Sequence, residues 1–127
     1  MRETELKIAP TPITPFFHFD LKSGMIEFKG RSLPSSPQKF YYPIIEEIET
    51  AFEKGAQKLT ANFALEYFNT SSSKCLFNIL KKLVSYRRSG ANVVINWFYE
   101  SCDDDMRETG LDYEKILGGS FNHIQVN

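Results

Sequence analysis

The chain has 127 residues, enough for one domain that buries roughly two-thirds of its unfolded surface. Its 15 Lys and Arg against 16 Asp and Glu leave a formal net charge of −1, which excludes a general electrostatic pull toward nucleic acid or an anionic membrane. No apolar run approaches the ~20 residues of a membrane span, no signal or lipidation motif opens the chain, and the two cysteines, Cys75 and Cys102, lack redox or metal spacing, so a soluble protein of the reducing cytoplasm is expected.

Residues 1–13 carry Pro10 and Pro12 and read as an N-terminal arm with room for a short edge strand. Phe16 to Phe19 form a strand, Asp20 to Gly24 supply turn chemistry, and Met25 to Lys29 alternate as a second strand, which predicts a β-hairpin. A loop then leads to Ser36 as helix cap and Pro37 as first helical residue. The helix predicted over 37–54 lines one side with Phe40, Tyr41, Ile44, Ile45, Ile48, Ala51 and Phe52, and Pro43 is a source of kinking inside it.

The next strand, 58–68, places Leu59, Ala61, Phe63, Leu65 and Tyr67 on one face and Thr60, Asn62, Ala64, Glu66 and Phe68 on the other. An amphipathic helix follows to about 89, with Leu76, Ile79, Leu80, Leu83 and Val84 as its stripe and Gly90 at its end. The apolar strand 91–99 reads as covered on both faces. Asp103-Asp104-Asp105 opens a last helix to 117, with Gly110 as a weak point, and 121–126 is a final strand. The order β-β-α-β-α-β-α-β predicts a single α/β domain over 1–127, with a mainly parallel central sheet behind an N-terminal hairpin.

Reactive side chains crowd into the junction from Leu65 to Lys74, where strand becomes helix. Asn69 or Thr70 suits the N-cap, and the partial positive charge of a helix start favours an anion there. Two readings follow. Asn69, Thr70, Ser71, Ser72 and Ser73 are either ordinary capping residues, or Thr70 or a neighbouring serine accepts a phosphate that Lys74 would help to hold.

Catalytic chemistry is sparse. The glycines are scattered, so there is no phosphate loop, and His18 and His123 sit in separate strands without ligand spacing. Asp103-Asp104-Asp105 suits a helix start better than a Mg²⁺ site. Ser71, Ser72 and Ser73 have no evident base; Glu66 is the acid near them in sequence and points more readily to solvent or a partner. The chain reads as non-catalytic, without metal or cofactor. Tyr67, Phe68, Trp97, Phe98 and Tyr99 fall near strand ends, and parallel strands send those ends to one edge. Phe68, Thr70, Tyr99 and Glu100 are therefore expected on one rim, most of the aromatics in the core and one or two in a docking patch.

Three segments carry a family resemblance: Gly30 to Pro34 (GRSLP), Leu65 to Lys74 (LEYFNTSSSK) and Val94 to Tyr99 (VINWFY), the last followed by an acidic stretch. Together they resemble the SiaC family of bacterial biofilm-regulating phosphoproteins, over nearly the whole chain after the first dozen residues. Ile95 and Phe98 stand where that family commonly has Val and Tyr. The resemblance implies a STAS-like domain, similar to anti-sigma-factor antagonists, that is phosphorylated at Thr70, with Ser71 as the alternative. It implies a cognate Ser/Thr kinase, a PP2C-type phosphatase and a GGDEF diguanylate cyclase as partners. The unphosphorylated form would bind the cyclase and promote cyclic-di-GMP synthesis. Phosphate at Thr70 would block docking through the charge it brings to the interface. Glu66, Tyr67, Phe68, Asn69, Ser71, Ser72, Ser73, Lys74, Trp97 and Tyr99 form the expected surroundings of the phosphosite and the partner surface. The alternative is an anti-sigma-factor antagonist that acts on a kinase–sigma-factor pair.

Overall fold

The computed structural model describes residues 5–127. Across them run β1 (Glu5–Ile8), β2 (Phe16–Asp20), β3 (Met25–Ser32), α1 (Pro37–Glu53), β4 (Lys58–Phe68), α2 (Thr70–Arg88), β5 (Asn92–Glu100), α3 (Asp104–Leu117) and β6 (Asn122–Val126). The strands form one sheet in the order β1-β2-β3-β4-β5-β6. β1, β2 and β3 are antiparallel, and β3 to β6 are parallel. The mixed, mainly parallel α/β architecture and the opening hairpin are as the sequence predicts. The arm contributes one strand more than the predicted order, because β1 pairs with β2 as an edge. Among the described residues, no helix is long and apolar enough to cross a membrane.

Each crossover helix carries the chain one strand further in the same direction. Right-handed crossovers of this kind leave all three helices on one face of the sheet. Burial follows the pleat: Phe17, Ile26, Phe28, Ala61, Phe63, Ile95 and Trp97 are sealed beneath the helices. In β5 this corrects the expectation of two covered faces. Val93, Ile95 and Trp97 are buried, whereas Val94, Asn96 and Phe98 face the uncovered side and are only half-buried. A sheet wound in one direction never sends a helix to its other face.

Two glycines position the core. Gly30, at φ +106°, precedes a register shift: Gly30 pairs with Leu65, but Arg31 pairs with Tyr67, which leaves Glu66 as the extra residue of a β-bulge. The bulge breaks the alternation predicted for β4. Tyr67 turns outward to 45% exposure, while Phe68 turns inward and meets Trp97 edge-on at 6.2 Å. Gly110 is a packing requirement of α3 rather than a weak point. A Cβ there would lie 2.4 Å from Trp97 Cδ1, so only glycine lets the indole seat against the helix. The indole N–H donates to the Met106 carbonyl at 2.9 Å. Ser36 and Pro37 open α1 as predicted, without a capping bond from the serine side chain, and α1 runs unbroken through Pro43.

Candidate functional site at the start of α2

Asn69 ends β4 and begins α2. Its backbone is extended (φ −82°, ψ 174°), and its side-chain oxygen accepts the Ser72 N–H at 2.8 Å. Its carbonyl accepts the Ser73 N–H at 2.9 Å, and its own N–H donates to the Ser32 carbonyl at 3.0 Å. The junction is thereby tied to the end of β3. The amides of Thr70 and Ser71 belong to the opening group that an α-helix leaves without intrahelical acceptors, on its electropositive end.

The four hydroxyls of this turn have separate fates. Ser72 is fully buried, and the Ser32 hydroxyl donates to it at 2.8 Å. Ser32 also shares a 2.5 Å hydrogen bond with the Tyr41 hydroxyl of α1. Burial pushes the Tyr41 phenol up to about 12, against the opposing effect of its serine contact, so it stays protonated as a structural group. Ser73 is hydrogen-bonded to the Tyr113 hydroxyl of α3, whose pKa burial likewise raises. Thr70 and Ser71 remain exposed. The turn thus anchors its two inner hydroxyls to α1 and α3 and presents its two outer ones to solvent.

The remaining predicted residues divide in the same way. Lys74 is exposed one turn into α2. Tyr67 is exposed, with the Arg31 guanidinium 5.4 Å from its ring centre. Glu66 and Tyr99 line one cleft on the uncovered side of the sheet, shared with Arg31, Phe98 and Glu100. Trp97, expected near the partner surface, is instead 1% exposed and lies beneath the rim as core. Ser72 is likewise removed from direct contact with a partner. Phe68 packs inward against Trp97.

The sequence reading missed Ser32, Tyr41 and Tyr113 as the residues that hold the serines. Ser32 carries a visible signal, since it is a polar residue at an inward position of the β3 alternation. Tyr113 continues the Met106, Gly110, Tyr113 stripe of α3. The histidines lie apart: His18 contacts Glu5 at 2.8 Å and His123 contacts Glu114 at 3.0 Å. Among the described residues, no group of three or more His, Cys, Asp or Glu side chains is placed to hold a metal.

Comparison with known proteins bears on the fold and the family. A protein of Pseudomonas aeruginosa strain UCBPP-PA14 is 26% identical over 112 residues, covering 88% of this chain and 89% of its own. The solved apo form of SiaC from Pseudomonas aeruginosa is similar at 25% identity and a TM-score of 0.87, covering 98% of this chain and all of that one. A structure of the diguanylate cyclase SiaD in complex with its activator SiaC, from the same organism, matches with a TM-score of 0.90 at 25% identity, over 95% of this chain and 99% of that one. The family model for the SiaC family regulatory phosphoprotein matches residues 8–126. With that match over almost its whole length, the chain belongs to the SiaC family of regulatory phosphoproteins.

Proposed function

We propose that this protein is a non-enzymatic, phosphorylation-controlled activator of a GGDEF diguanylate cyclase. The unphosphorylated form docks on the cyclase and promotes cyclic-di-GMP synthesis, in control of biofilm formation and aggregation. A cognate Ser/Thr kinase phosphorylates Thr70 and a PP2C-type phosphatase restores it. The observation that carries this reading is the exposure of Thr70 on the first turn of α2 while Ser72 and Ser73 are tied down, in a family described by regulatory phosphorylation. The similarity to an activator solved on its cyclase supports the choice of partner.

The physical basis is desolvation. A neutral threonine at the rim is buried against a partner at small cost. A phosphate brings about −1.5 to −2 charges and a tightly held hydration shell, which docking would have to strip. The helix start welcomes that anion locally, so the fold is preserved while the interface is blocked. Ser71 is the alternative acceptor, being the other exposed hydroxyl.

The test compares wild type, Thr70→Ala, Ser71→Ala and Thr70→Glu for cyclase binding and for the rate of cyclic-di-GMP formation. Both alanine variants are expected to bind and activate like wild type. Thr70→Glu is expected to bind about tenfold more weakly, or about 1.4 kcal/mol. Equal binding by all four would refute blockade at Thr70. Binding to a kinase–sigma-factor pair with no effect on a cyclase would move the chain to the anti-sigma-factor-antagonist role.

A further inference from the structure

The uncovered side of the sheet carries a cleft of about 500 Å³ where β4, β5 and β6 end. Ala64, Phe98 and Val126 give it apolar lining, and Glu66, Glu100 and Asp103 add carboxylates. The Asp103 carboxylate is engaged in capping α3, where it accepts the Met106 N–H at 3.0 Å. Glu66 and Glu100 are exposed, and none of the ion pairs among the described residues involves them. Among the described residues, Arg31 is the one cation in the lining, set against three carboxylates, and its guanidinium is directed over the Tyr67 ring, 5.4 Å from the ring centre. The bulge at Glu66 sets Tyr67 outward beside it, adding an exposed aromatic of the kind that anchors interfaces.

We propose that this cleft seats a cationic segment of the cyclase, with Lys or Arg against Glu66 and Glu100 and an apolar side chain on Phe98 and Ala64. The inference rests on the cyclase reading above and names the chemistry of the surface that docks. Charge decides the occupant. An acidic segment would be repelled, and a wholly apolar one would bury two carboxylates without partners, which is strongly unfavourable. Glu66 precedes Thr70 by four residues, so a partner covering the usual ~800 Å² per side would cover both. The two features act differently. The cleft attracts the partner through charge, whereas phosphate at Thr70 opposes docking because its charge holds a hydration shell that docking must strip.

Two measurements on the full chain test this. In the first, nuclear magnetic resonance follows titration with a capped Lys-Leu-Leu-Lys peptide and with its Glu-Leu-Leu-Glu counterpart. The cationic peptide is expected to shift the resonances of Glu66, Phe98 and Glu100, and the Glu66→Gln/Glu100→Gln protein to lose that response. No response, or an equal response to the acidic peptide, overturns the proposal. In the second, the same double variant is expected to bind the cyclase about tenfold more weakly at low salt, with a flatter dependence on sodium chloride. Binding and salt dependence equal to wild type overturn the proposal even if the peptide binds. Failure of wild type itself to bind any cyclase refutes the proposed function, and the peptide titration then decides the cleft chemistry alone. Both residues are exposed, so the variant is expected to fold, which circular dichroism checks.

Discussion

Two neighbouring rows of residues cross the sheet one position apart and differ in almost every respect. On the helix side, Phe17, Phe28, Phe63 and Trp97 stand opposite one another in successive strands, with ring centres 4.9, 5.2 and 5.9 Å apart. On the uncovered side, His18, Glu27, Asn62, Asn96 and Asn122 occupy the matching row. Asn96 donates to Asn62 at 2.8 Å and accepts from Asn122 at 2.9 Å. The same backbone ladder supports both rows, so the difference lies in what each side chain meets. The aromatic row contributes through burial and close packing. The asparagine row satisfies its own polar groups where water or a partner reaches them.

The sharpest test of that contrast is Trp97→Ala. It empties the most voluminous fully buried site, and a loss of about 3–5 kcal/mol is expected in chemical denaturation. A loss under 1 kcal/mol would show that the aromatic row is not the centre of the core. Gly110→Ala probes the same contact from α3. Helix propensity alone would favour alanine by about 1 kcal/mol. The clash with the indole is expected to reverse that sign and destabilise by about 1–3 kcal/mol. A stabilised Gly110→Ala protein would mean that Trp97 moves aside freely.

These positions also show where the sequence was readable. The period-2 pattern placed Phe63 and Leu65 inward, and the 3.6-residue stripe placed Ile79 and Leu83. Both patterns are local. The reversal at Tyr67 and Phe68 was not legible, because it depends on a bulge against Gly30, about 36 residues earlier, and on the register of a parallel pair. The role of Gly110 was hidden for the same reason, since its partner Trp97 lies on another element. At the site, Asn69 and the hydroxyl row were plain in the sequence. Sorting Thr70 and Ser71 from Ser72 and Ser73 required Tyr41 and Tyr113, which reach the turn from α1 and α3. The open face of β5 follows from one-way winding, which a residue-by-residue hydropathy pattern does not encode.

A smaller effect is expected on the uncovered side. Asn96→Ala removes both ladder bonds but leaves a half-exposed site where water replaces them. The expected loss is about 0.5–1.5 kcal/mol. A loss as large as that of Trp97→Ala would erase the contrast between the rows. A double-mutant cycle with Asn62→Ala should find the two effects coupled, since they share a bond.

The aromatic row has one polar end, and it yields the mildest prediction. Opposite Trp97 on β6 stands His123, whose Nε2 lies 3.0 Å from the Glu114 carboxylate of α3. The other oxygen of Glu114 accepts the Phe121 N–H at 2.7 Å. That backbone bond is the main cause that holds the Glu114 carboxyl below the ordinary carboxylate range; burial opposes it, and the His123 contact adds a smaller lowering effect. A carboxyl depressed on folding stabilises the native state above its unfolded pKa. The contribution is lost as pH falls through the folded value. Wild type should therefore melt above Glu114→Gln at neutral pH, and the gap should close as the solution is acidified through the carboxylate range. A gap that stays constant with pH would assign the effect to hydrogen-bond geometry rather than to charge, and would place the polar end of the row on the same footing as the neutral asparagines opposite.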